Sequence, residues 1–153
     1  MIKLRATFIV KDKTYWAALI AAPLFYLIYG VFFYDGALFL VSFIENKRQL
    51  ILLILLYPII EELAFRGFIQ SQMNNVLGKQ PLVFSISLPN VITSLLFSLI
   101  HLISHHPIWT ILIFFPSLVF GFFRDKYGST KPSIGLHVVY NAGYYLLFWN
   151  STN

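Results

Sequence analysis

The chain has 153 residues, 58% of them hydrophobic and only 11% charged, against roughly 25% charged in a typical soluble domain. A water-soluble surface cannot be built from such a composition, which describes a single-domain integral membrane protein. The net charge of +5 comes from basic residues scattered beside apolar segments, which argues against a nucleic-acid partner, and the lack of cysteine excludes disulfides, thiolate nucleophiles and Cys-ligated metal centres.

The first apolar segment, about Tyr15 to Tyr34, follows Lys3, Arg5, Lys11 and Lys13. It is too long for the apolar stretch of a signal peptide and lacks small-residue cleavage chemistry near its end, so a retained span is expected. Gly36 to Ile44 is apolar but too short to cross a bilayer alone; it either extends the first span or lies in the interface. The second span begins near Leu50 and runs towards Gln72, stopping before the loop signals Asn74-Asn75 and Gly78. A third covers about Leu88 to Ser104. Pro107 opens a fourth that reaches Phe123, Arg124 to Pro132 reads as a charged turn, and a fifth runs from about Ser133 to Trp149.

Outside these spans, eight Lys and Arg fall on the side of the amino terminus and two, Lys47 and Arg48, on the other. That excess places the amino terminus in the cytoplasm, and Tyr15, Trp16, Trp109 and Trp149 fit an aromatic belt near the span ends. The expected fold is all-α, a polytopic transmembrane helical bundle of about five spans. Its partner is the lipid bilayer and its expected location a prokaryotic inner or plasma membrane.

Ionisable groups at membrane depth are costly and mark function. Glu61 and Glu62 directly follow the apolar run Leu50 to Ile60, and Arg66 lies four residues beyond Glu62, on the same helix face. Glu61 points about 100° away, so one carboxylate can be held ionised by the arginine while its neighbour accepts a proton. The competing reading is a Glu–Arg pair at an interfacial helix end. Asn90, Ser94, Phe97 and His101 form one stripe along the third span, where a lone His could instead bridge helices. His105 and His106 precede Pro107 and are expected in water or headgroups. His137 and Asn141 share a face of the fifth span with Tyr140 and Tyr144 nearby; an imidazole and a carboxamide can donate to one developing oxyanion, or simply join helices. Polar groups from three spans should turn inward together, because each would be costly against lipid. In an enclosed cavity Glu61, hydrogen-bonded to His101, could deprotonate water for attack on a carbonyl, with His137 and Asn141 holding the oxyanion.

Glu-Glu-x-x-x-Arg at 61–66, Phe-x-x-x-His at 97–101 and His-x-x-x-Asn at 137–141 resemble, in order and span placement, the CAAX prenyl protease and bacteriocin-processing (Abi) family of intramembrane proteases. Ser117 to Arg124, Gly128-Ser129 and Pro132 to His137 also look like the family's stretch before its last motif, with small residues at 117 and 121 that allow close helix approach. The resemblance covers about residues 50–145. It implies an intramembrane endopeptidase in which Glu61 and His101 activate water, His137 and Asn141 form the oxyanion hole, and Glu62, Arg66 and Phe97 support the site. Residues 1–49 would form a basic segment, the first span and a short apolar piece, and residues 50–150 the catalytic core. Thr130 stands where the family often has Leu, and only one full span precedes the first motif.

Relatives are described both as metalloproteases and as glutamate-dependent proteases. Zinc would fall to Glu61, His101 and His137, but no His-Glu-x-x-His spacing is present, and the metal-free mechanism is favoured. The substrate would be a prenylated carboxy-terminal peptide, a bacteriocin leader or a carboxy-terminal sorting tail. Two rivals remain: a non-catalytic bacteriocin immunity or scaffold protein of the same fold, and a haem-binding electron carrier with His101 and His137 as axial ligands.

Overall fold

In the computed structural model, which describes residues 9, 11–33, 47–103 and 106–148, helix dominates. Helix α1 spans Lys13–Phe33. Helical backbone then continues through α2 (Lys47–Ile51), a π-helical stretch Leu52–Leu56, α3 (Tyr57–Glu62), a second π-helical stretch Leu63–Ile69 and α4 (Gln70–Leu77). A short hairpin follows, β1 (Pro81–Val83) with β2 (Ile86–Ser87), and leads into α5 (Leu88–Ile100) with a 3-10 turn His101–Ile103. Helices α6 (Pro107–Tyr127) and α7 (Lys131–Phe148) complete the described chain. The apolar piece Gly36 to Ile44, Lys3, Arg5, His105 and Trp149 lie outside the described residues.

The sequence signals act where local chemistry requires. Ser87 caps α5 by accepting from the Asn90 N–H at 3.2 Å, with Pro89 in the first turn, where a missing N–H costs nothing. His106 caps α6 in the same way ahead of Pro107, and its side chain is exposed. Gly128 ends α6 in the left-handed conformation, φ 61°, its N–H bonding the Arg124 carbonyl at 2.9 Å. The expected charged turn therefore shrinks: Arg124 to Tyr127 belong to α6 and Lys131-Pro132 to α7, because the glycine cap closes one helix and the proline suits the first turn of the next. The hairpin lies between the second and third expected spans, where the sequence reading placed no element.

Two compact units divide the chain, Met1–Ile60 with Gly135–Asn153, and Glu61–Ile134. In the first, the Tyr140 hydroxyl donates to the Ala18 carbonyl at 2.8 Å and the Tyr26 and Tyr144 rings meet edge to face at 6.1 Å. Gly143 passes close to Tyr26, where a Cβ would sit 2.8 Å from ring carbon Cδ2. The first π-helical stretch has an identifiable cause. Tyr57 N–H bonds the Leu52 carbonyl five residues back, and the next residue, Pro58, has no N–H to offer Leu53. The Asn141 carboxamide fills that place, donating to the Leu53 carbonyl at 3.0 Å.

The second unit is built on a polar ladder. Arg66, Gln70 and Asn74, four residues apart on one helical face, reach Ser117, Gly121 and Asp125, also four apart on α6. The constant offset of 51 residues means that the two helical faces run parallel. Asn90 ties α5 to α6 by donating to the Leu118 carbonyl at 2.9 Å, while its own oxygen accepts from Ser94 at 3.1 Å. Gly121 is what admits Asn90: a Cβ there would collide with the Asn90 carboxamide.

Among the described residues the burial pattern is reversed from that of a water-soluble domain. Thirteen polar or charged side chains are buried against seven large apolar ones, while Phe25, Ile60, Phe68, Leu99, Ile111 and Phe115 are all more than half exposed. Yet no described helix is long and apolar enough to cross a membrane. The second expected span is divided among stretches of at most eight residues, and α5, the third, has 13 residues, about 20 Å at 1.5 Å per residue. The expected all-α character is met, while the described helices do not by themselves show the five expected spans.

Gly121→Ala is expected to destabilise the fold by about 1–3 kcal/mol through overpacking against Asn90, whereas Gly67→Ala, whose Cβ would meet only ordinary contacts at 3.6 Å and beyond, should be neutral or stabilising. Thermal unfolding of both variants in detergent checks this, and equal midpoints would contradict the close approach at Gly121.

Candidate active site

Glu62 and Arg66 form a salt bridge at 3.0 Å with both side chains fully buried. Burying two charges costs several kcal/mol per ion unless further polar contacts complete the shell. Ser117 supplies part of that shell, its carbonyl accepting from Arg66 Nη2 at 3.0 Å and its hydroxyl oxygen from the same nitrogen, while the buried Arg66 Nε has no hydrogen-bond partner among the described residues. The guanidinium also stacks over Phe97, 4.6 Å from the ring centroid, and stands 5.5 Å from that of Phe120. A desolvated cation over an aromatic face gains about 2 kcal/mol. Glu61, one residue before the pair and half-buried, adds a second carboxylate whose charge acts on Arg66.

Phe97 also contacts His101, whose ring is tilted at 48° with centroids 4.6 Å apart. Phe65 completes the packing edge-on at 5.0 Å. His101 closes α5 with its Nδ1 2.7 Å from the Phe97 carbonyl. A carbonyl oxygen only accepts, so Nδ1 carries the proton and Nε2 is the basic nitrogen. The first two motifs are thus joined, within one unit, through Arg66, Phe97 and His101. His137 and Asn141 belong to the other unit: His137 is buried on α7, and Asn141 spends one of its two N–H bonds on Leu53. Among the described residues no three His, Cys, Asp or Glu side chains gather as a metal site.

Several contributors escaped the sequence reading. Arg124 donates from Nε to the Arg66 carbonyl at 3.0 Å and from Nη2 to the Ser71 hydroxyl, which itself donates to the same carbonyl at 3.3 Å. This clamp holds the end of the second π-helical stretch, where the Gln70 N–H bonds Phe65 rather than Arg66. Asp125 receives Asn74 at 2.8 Å and Ser87 at 2.6 Å, one on each carboxylate oxygen. The signal that could have found Asp125 was the four-residue repeat Glu62, Arg66, Gln70, Asn74 and its counterpart Ser117, Gly121, Asp125.

A helical protein with a buried carboxylate–arginine pair stacked through phenylalanine onto a histidine of fixed tautomer has the parts of a hydrolase site. Residues 44–143 match the family described as Type II CAAX prenyl endopeptidase Rce1-like, and the chain belongs to that protease family. No curated protein and no solved structure gives a significant match.

Replacing either partner alone, Glu62→Gln or Arg66→Met, is expected to cost about 3–5 kcal/mol, because the other charge is left buried. The double variant should recover part of that loss. A denaturant double-mutant cycle measures it, and strictly additive losses would contradict the pairing.

Proposed function

We propose that this protein is a membrane-embedded endopeptidase that hydrolyses a peptide bond of a membrane-anchored substrate with water activated by Glu61 and His101. The observation that carries the reading is the continuous contact from Glu62 through Arg66 and Phe97 to His101, which ties the carboxylate motif to an imidazole whose basic nitrogen is defined. Membership of a prenyl-endopeptidase family supports it. Exposed apolar helix faces around buried polar side chains support a lipid surrounding for the multi-pass arrangement, since lipid is the solvent that rewards such an inversion.

In the proposed reaction the Glu61 carboxylate takes a proton from water, His101 Nε2 accepts a hydrogen bond from the same water and orients it, and the oxygen attacks the scissile carbonyl carbon. His137 and the second N–H of Asn141 donate to the oxyanion of the tetrahedral intermediate. Collapse breaks the C–N bond, and the proton held by Glu61 passes to the leaving amine. Glu62 is engaged in the salt bridge with Arg66, which leaves Glu61 for the proton. No metal enters these steps. Of the three candidate substrates, the prenylated carboxy-terminal peptide is the one the family description favours.

Glu61→Gln and His101→Ala are expected to abolish cleavage of a farnesylated carboxy-terminal peptide while the proteins still fold, and Asn141→Ala should lower the rate by about 10²–10³-fold, the usual loss for one oxyanion donor. A single-turnover assay in detergent with chelator measures all three. Full activity of Glu61→Gln would sink the mechanism, and loss of wild-type activity in chelator would restore the metal alternative.

A further inference from the structure

The turn between β1 and β2 is made from residues ill suited to it. Phe84 and Ser85, the two residues between the paired Val83 and Ile86, have φ of 49° and 61°. Two-residue loops with positive φ at both positions favour Asn-Gly, and a bulky side chain there is an outlier. Packing does not compensate, because Phe84 is 90% exposed. Nearby in sequence, Val76 is 81% and Leu82 57% exposed, and Leu77 and Leu88 also face outward. Lys79 is exposed among them, and residues 76–88 contain no acidic side chain.

The base of the hairpin is fixed while its tip is displayed. Ser87 bonds Asp125 at 2.6 Å, Asn74 holds the other carboxylate oxygen, and the Asn90 N–H bonds Ser87. Strained residues persist where a ligand or interface uses them. An aromatic tip with aliphatic neighbours and one cation matches the headgroup boundary of a bilayer, where rings partition and lysines meet anionic lipid.

We propose that the β1–β2 hairpin is an interfacial membrane anchor, with Phe84 inserted below the headgroups and Lys79 at the level of the phosphates. The proposal rests on the membrane reading above and adds a defined contact to it. The chain has no cysteine, so Phe84→Cys accepts a single nitroxide label, and Phe115→Cys on the exposed face of α6 gives a reference. Both are reconstituted in phosphatidylcholine vesicles with and without phosphatidylglycerol, and collisions with oxygen and with a water-soluble nickel chelate are compared.

The label at position 84 is expected to favour oxygen over the chelate, and Lys79→Glu should shift that ratio towards water only when phosphatidylglycerol is present. Chelate access at 84 with lipid exposure at 115 overturns the anchor and spares the membrane reading, whereas chelate access at both sites removes the two together. Shielding from both reagents at 84 means a protein contact, a second copy or another chain, and also overturns it. Separately, Phe84→Asn should raise the unfolding midpoint in detergent by relieving the turn. A lowered midpoint would show that Phe84 serves the fold rather than the interface.

Discussion

Everything in the second unit is arranged around the cost of burying Arg66. A guanidinium with no exposure must be paired, hydrogen-bonded and stacked, and this chain supplies Glu62, Ser117 and Phe97 for those three tasks. Each partner constrains a different segment: Glu62 fixes the turn that carries Glu61, Ser117 fixes α6, and Phe97 fixes α5. Because Phe97 also carries His101, stabilising the charge and placing the imidazole are the same structural event.

The π-helical stretches belong to the same logic. A wider turn leaves a carbonyl for a side chain to satisfy, and in both stretches one arrives from elsewhere, Asn141 at Leu53 and Arg124 at Arg66. The irregular backbone is therefore a set of attachment points.

The reversed burial gives the chain its character. Ser94, Thr93, Gln70 and Asn90 are interior, while Phe25, Phe68, Leu99, Ile111 and Phe115 lie outside. In the lipid surrounding proposed for this chain, the separation of apolar surface from water would contribute little to helix association, so hydrogen bonds and close approach at small residues would carry it. Gly121 and Ser117 serve that approach, and the ladder to α6 supplies the bonds.

The helices, their proline and glycine boundaries and the Glu62–Arg66 pairing were legible in the sequence because they depend on residues at most a few positions apart. Gly128 caps, Pro107 starts and a four-residue spacing pairs two charges wherever the chain is helical. The resemblance in three short motifs, likewise local, pointed to the family that residues 44–143 match. The π-helical stretches and the hairpin were not legible, since one proline is compatible with several helical distortions and two strands of three and two residues leave no periodicity to read. What only the tertiary structure decided is which distant residue satisfies each buried group: Ser117 for Arg66, Gly121 for Gln70, Asp125 for Asn74. A side chain's hydrogen-bonding capacity is written in its identity, but its partner is selected by which backbones approach closely, and that depends on the whole packed arrangement.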